Sequence, residues 1–335
     1  MTKHDASVTR PQSDKEKRPF FLHTRPAAIA AIVLALILGV CYALAMRFDF
    51  DFPIGHFALD SILFHIVIAV CAIGVAASAL AYFSSGTKIL DPLPESGPRS
   101  LFAGLLAAAM CLVILCQAIR VSAAAIPEKL VSPENLSLLS AVLGLFLAAS
   151  VILSWFPENR GMKTFPVVSA VLGALSVNIA MFACYFDFTV PLNSPVRNLT
   201  TLMQASILLF LFSEARLLIV KGPKDLPVPF QLATQFAAVI LGMGISLGGI
   251  LWRVIRWFTL TAEASPACAA GPEPTLPLSR LVLYFALSVL ALDRLLAGSK
   301  VIRSLTKEEI EEAERKAKEA KEKKKKKAAE TESKA

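Results

Sequence analysis

Eight apolar stretches, each roughly 17 to 23 residues long, nearly free of charge and separated by short polar joints, constrain this chain more than any other feature. In lipid, every backbone N–H and C=O must be satisfied within its own segment or around a closed barrel. Runs of this length without polar–apolar alternation exclude the barrel. The expected fold is therefore all-α, an integral membrane helical bundle of eight transmembrane helices. The spans read as Ala27 to Met46, Ser61 to Phe83, Leu101 to Ile119, Leu136 to Phe156, Val167 to Tyr185, Leu199 to Val220, Leu232 to Trp252 and Leu281 to Ala297. Each is long enough for a hydrocarbon core of about 30 Å. A residue content that is 55% hydrophobic and only 18% charged is more apolar than a water-exposed surface tolerates.

The net charge of +8 resembles a nucleic-acid signal until it is located. Residues 1–26 hold six Lys/Arg against three acids and residues 300–335 hold thirteen against nine, so the tails supply +3 and +4 and the membrane body is nearly neutral. No basic stripe interleaved with aromatics is present to track phosphates, which argues against nucleic acid as a partner. The joints at 84–100, 157–166 and 221–231 carry Lys88, Arg99, Arg160, Lys163, Lys221 and Lys224 on the same side as both tails. By the positive-inside rule that side is the cytoplasm, with the amino and carboxyl ends both on it. Arg120, Lys129, Arg197, Arg253 and Arg256 on the opposite side weaken this bias without reversing it.

Residues 1–26 precede an apolar run too long for a signal-peptide core of about 7–15 residues, so the first span is read as uncleaved. Cys41, Cys71, Cys111, Cys116 and Cys184 fall inside spans and only Cys268 lies in a joint. No Cys-x-x-Cys or Cys/His spacing holds a metal, and no cofactor signature is present, so the thiols read as small apolar side chains.

Two pairs of matching segments suggest a duplication. Phe48-Asp49-Phe50-Asp51-Phe52-Pro53-Ile54 recurs as Phe186-Asp187-Phe188-Thr189-Val190-Pro191-Leu192, an offset of 138. Ile114-Leu115-x-x-x-Ile119-Arg120 recurs as Ile250-Leu251-x-x-x-Ile255-Arg256, an offset of 136. Two anchors in register predict two parallel four-helix halves, 27–156 and 157–299, facing each other. Beyond them, Thr306 with Glu309 forms a capping box, and Glu311/Arg315, Glu312/Lys316, Glu314/Lys318 and Glu319/Lys323 are i,i+4 pairs. A charged cytoplasmic helix should start at Thr306 within the 300–335 tail. Its run of Lys323, Lys324, Lys325, Lys326 and Lys327 offers contact with anionic lipid headgroups.

Charges inside a span cost about 2.5 to 3.5 kcal/mol and mark what needs explaining. Glu214 lies too deep in the sixth span for its short side chain to reach water, and Arg216, two residues on, points the other way. Asp293 and Arg294 lie at similar depth in the eighth span, which predicts the pairs Glu214–Arg294 and Arg216–Asp293. A structural lock between two helices is favoured over a proton- or solute-handling carboxylate. At the opposite face, Asp49 with Arg120 and Asp187 with Arg256 read as equivalent clamps of the first span to the third and the fifth to the seventh. The Pro191-Leu192-Asn193-Ser194-Pro195 turn before Arg197 leaves carbonyls free, either for coordination or as a rigid connector. His65, Gln117, Asn178, Gln204 and Gln235 are expected to hydrogen-bond between helices, and Gly244-x-x-x-Gly248 to let another backbone approach the seventh span.

The stretch Asp187-Phe-Thr-Val-Pro191-Leu-Asn193-Ser-Pro195, followed by Gln204 and Phe212-Ser-Glu214-Ala-Arg216, resembles a pattern in a group of polytopic membrane proteins of clostridial-type bacteria. The resemblance covers about 30 residues. It implies a bacterial cell membrane and carries no activity over.

No Ser/His pair, carboxylate dyad or ligand cluster lies at one depth, so an enzyme is not expected. A transporter or permease of a small or amphipathic solute, with Glu214 as the candidate coupling group, is favoured. A membrane scaffold or sensor accessory is the alternative.

Overall fold

The computed structural model describes residues 24–51, 55–84, 88–90, 98–124, 133–153, 164–186, 194–219, 228–262, 276–304 and 315. Proline marks several helix starts: Pro98, Pro133 and Pro195 open α3 (Pro98–Ala124), α4 (Pro133–Leu153) and α6 (Pro195–Ile219). At that position the missing N–H is one that a helix leaves unpaired in any case. The remaining helices are α1 (Thr24–Phe48), α2 (Ile62–Ser84), α5 (Thr164–Phe186), α7 and α8 (Leu278–Val301). α7 covers 228–262 without a break, as α-helical Val228–Ala237, a π-helical turn Ala238–Met243 and α-helical Gly244–Ala262.

Seven of the helices are long and apolar enough to cross a membrane. The eighth, α8, has 24 residues, about 36 Å at the helical rise, but carries Arg280, Asp293 and Arg294. The protein is thus an all-α bundle of the multi-pass membrane type, in contact with lipid along its apolar outer faces. The seventh expected span, Leu232 to Trp252, is extended at both ends, and its π-turn was not foreseen.

Burial sorts the helices. The spans of α6 and α7 are 61% and 67% buried, against 28% to 44% for α1 to α5. α6 also has the lowest mean hydropathy of the seven, 1.2. The two facts belong together, because Arg197, Thr200, Gln204 and Glu214 recur at helical spacing on one side of α6 and that side is turned inward.

Glycines set the closest crossings. An added Cβ at Gly244 would meet Leu38 of α1 at 2.7 Å, and one at Gly248 would meet Tyr42 at 2.5 Å. The Gly244-x-x-x-Gly248 expectation is therefore met by α1. Gly173 of α5 lies equally tight on Leu147 of α4, at 2.8 Å from the latter's Cα.

This packing does not sort the helices into a 27–156 half facing a 157–299 half. Among the described residues, α1 and α2 pack on each other and on α7, whereas α3 packs on α4 and α8, and α4 on α5. The small-residue face of α7 draws in the first hairpin, and hydrogen bonds draw α8 to α3 and α4, so the chain halves interleave.

Among the described residues two short antiparallel ladders cap the bundle, neither of them foreseen. β1 (Phe50–Asp51) pairs with β2 (His56–Phe57) through a turn at Gly55, whose φ of 75° only glycine adopts readily. Phe57 stacks on Phe64 of α2, and Ser194, ahead of α6, donates to Gly55 O at 3.2 Å. At the other end β3 (Lys88–Leu90) pairs with β4 (Ile302–Ser304), tying the α2–α3 joint to the segment after α8. The expected helix from Thr306 and the Lys323–Lys327 run lie outside the described residues.

A buried polar seam between α6 and α8

On α8, Arg280, Tyr284 and Arg294 fall on one side at helical spacing, and they meet the inward stripe of α6 and its neighbours at three levels. The first level lies at the end that carries the β1–β2 hairpin. Arg280 is only 8% exposed and donates from Nη2 to Ser137 Oγ of α4 at 2.7 Å. Beside it in sequence, Ser279 Oγ donates to Gln117 Oε1 of α3 at 2.7 Å. Arg253 of α7 donates from Nη2 to Leu276 O at 2.8 Å, holding the start of α8.

One turn further in, Gln204 is fully buried and donates from Nε2 to Tyr284 Oη at 3.1 Å and towards Cys184 Sγ of α5 at 3.7 Å. Among the described residues Gln204 Oε1 has no hydrogen-bond partner. The π-turn of α7 closes on this level: a Cβ at Gly242 would lie 2.7 Å from Ser288 Oγ of α8 and 2.8 Å from Ile207 Cδ1 of α6.

The third level holds a charge pair. Arg294 Nε lies 3.3 Å from Glu214 Oε2, with the side chains 20% and 22% exposed. This is the pairing that the sequence predicts. Gln231 of α7 lies beside the carboxyl, yet neither its amide nor Glu214 Oε1 completes a hydrogen bond.

Next to the first two levels, between α3, α4, α5 and α8, lies a cavity of about 20 Å³. Arg280, Tyr284, Ser140, Ser176, Cys111 and Gly144 line it. Ser140 Oγ is committed to Ser176 O of α5 at 2.9 Å. Such a volume holds one water-sized body.

Arg216 is exposed and Asp293 half-buried. Asp49 accepts a hydrogen bond from Ser61 Oγ at the start of α2, while Arg120 is exposed. The clamp of α1 to α3 is therefore not formed, because these helices face different partners. Asp187 and Asn193 lie outside the described residues, and with them the Asp187–Arg256 pair. Arg256 is half-buried and Arg197 buried. His65 bonds within its own turn, to Ser61 O, and is exposed, so it joins no helices.

Arg280, Tyr284 and the serines of α4 and α5 are what sequence reasoning missed. Arg280 stands one residue before the expected eighth span and so read as a joint charge; its four-residue spacing to Tyr284 was the available signal. Among the described residues no group of three His, Cys, Asp or Glu could hold a metal. No family of known proteins, no curated protein and no solved structure matches the chain.

Proposed function

We propose that the protein is a permease-like membrane protein that passes a small solute along the α6–α8 seam. Its setting is a bacterial cell membrane, with both termini cytoplasmic. The observation that carries this reading is the seam itself, with charged or amide groups turned inward at three levels of a bundle whose outer faces are apolar. Magnitudes favour it over a purely architectural role. Hydrogen bonds between membrane helices average about 0.6 kcal/mol, whereas each charge placed in a span costs about 2.5 to 3.5 kcal/mol. Replacing buried ion pairs by apolar residues is often neutral or stabilising. A bundle under selection for cohesion alone would fill this interior with small apolar residues, as it does between α1 and α7. The π-turn adds a second support, since such turns recur at functional sites and this one sits between α6 and α8 at mid-seam.

Cysteine accessibility tests the reading. In a background without the native thiols, Gln204→Cys and Ser288→Cys should be labelled by a membrane-impermeant thiol reagent from at least one side. Leu59→Cys, at a position 98% exposed, serves as the labelled control. If the control reacts and neither seam position does from either side, the core is sealed and the scaffold reading replaces this one.

A further inference from the structure

We propose that the cavity between α3, α4, α5 and α8 binds one halide-sized monovalent anion, held by the Arg280 guanidinium. Charge is the first ground. Arg280 is more than nine-tenths buried, lines the cavity, and among the described residues its guanidinium hydrogen-bonds only to the neutral Ser137 hydroxyl. Arg294, at the other end of the same helix, has Glu214 against it; among the described residues no acid pairs with Arg280. A buried guanidinium without a counter-charge is costly, and an anion in the cavity supplies one.

Donor inventory is the second ground. Tyr284 Oη accepts from Gln204 Nε2, which leaves its own O–H to donate. Among the described residues Ser176 Oγ makes no hydrogen bond, and it lines the same space. Arg280 spends one of its five N–H groups on Ser137. The cavity is thus lined by a guanidinium and by hydroxyls with an O–H to give, and by no carboxylate, which suits an anion better than a metal cation.

Size is the third. At about 20 Å³ the cavity takes one water-sized body and no carboxylate or phosphate. Ile114, Val177, Ala180 and Leu283 form the rest of the wall. An apolar wall returns little of the hydration an ion leaves behind, so bromide and chloride should bind better than the strongly hydrated fluoride. As a statement of transported substrate this rests on the permease reading; as a binding site it does not.

The test uses the full chain, purified in detergent, with thermal unfolding followed at constant ionic strength. Sodium bromide or chloride should raise the melting temperature over sodium gluconate, increasingly with concentration, and fluoride should do so less. Arg280→Gln should abolish the rise. Tyr284→Phe and Ser176→Ala, which keep the fold's volume, should move the half-effect concentration several-fold upward, and they carry the test if Arg280→Gln does not fold. No difference between halide and gluconate in the parent protein overturns the site, as does an unchanged half-effect concentration in all folded variants. Halide flux into proteoliposomes is measured separately: halide-dependent stability without flux supports the site and removes the halide as the solute carried.

Discussion

Replacing Gly248 by alanine puts one methyl group into a helix crossing where, among the described glycines, an added Cβ meets its nearest neighbour at the shortest distance. The new Cβ would lie 2.5 Å from Tyr42 Cδ1 and 2.9 Å from Gly39 O. Carbon atoms in contact prefer about 3.5 to 4.0 Å, so the overlap with the ring is about 1 Å. Neither neighbour can turn aside, since the Tyr42 ring is buried and the Gly39 oxygen is backbone. α1 and α7 must therefore separate. Overpacking of this kind costs about 1 to 3 kcal/mol, while alanine recovers about 1 kcal/mol of helix propensity over glycine, for a net loss of about 1 kcal/mol. Gly144→Ala is the matched control, because its Cβ meets nothing closer than 3.9 Å. There the propensity gain stands alone, and the variant should be more stable than the parent by about 0.5 to 1 kcal/mol. Thermal unfolding in detergent, followed by far-ultraviolet circular dichroism, should order the three proteins with Gly144→Ala highest and Gly248→Ala lowest. A Gly248→Ala variant at or above the parent would refute the crossing geometry. A Gly144→Ala variant that falls as far as Gly248→Ala would show that glycine loss hurts regardless of its surroundings.

Gly173→Ala should lower stability at least as much as Gly248→Ala in the same assay, because its Cβ would lie 2.8 Å from Leu147 Cα and 3.1 Å from Leu147 N, both backbone atoms. Glu214→Gln should cost about 1 to 3 kcal/mol in the parent and much less in an Arg294→Met background, measured by denaturant unfolding as a double-mutant cycle; equal losses in the two backgrounds would mean that the 3.3 Å contact carries no coupling. Tags placed at the amino and carboxyl ends should be accessible from the same face of the membrane in intact cells, and access from opposite faces would leave an odd number of crossings.

Helix existence was legible because length and hydropathy in lipid leave few options, and each apolar span does contain a helix. So was the Glu214–Arg294 pair. Glu214 could not reach water, its neighbour Arg216 pointed away, and α8 offered an arginine at equal depth. What failed was the step from local likeness to arrangement. The Asp49 and Arg120 anchors are real sequence matches, but α3 lies against α4 and α8, where Gln117 meets Ser279. A repeated segment constrains what a helix end looks like and says little about its neighbour. The matched Phe-Asp-Phe motif itself serves a local purpose, feeding the β1–β2 ladder and capping α2 through Asp49 and Ser61.

Arg280 escaped for a related reason. A residue at the edge of an apolar run is read as belonging to water, because long cationic side chains there usually snorkel. Here the neighbouring helices close over it: Ser137 of α4 takes its Nη2, Gln117 of α3 takes the adjacent Ser279, and Arg253 of α7 holds Leu276 just before it. With α3 and α4 bonded to the first turn of α8 and α7 to the residue two before it, the guanidinium has little room to turn outward. Glu214 neutralises Arg294 about 21 Å further along the same helix, fourteen residues away, too far to serve Arg280 as well. Among the described residues the seam thus has one balanced end and one end with positive charge in excess, and on the permease proposal that imbalance, more than its polarity, sets the sign of the solute.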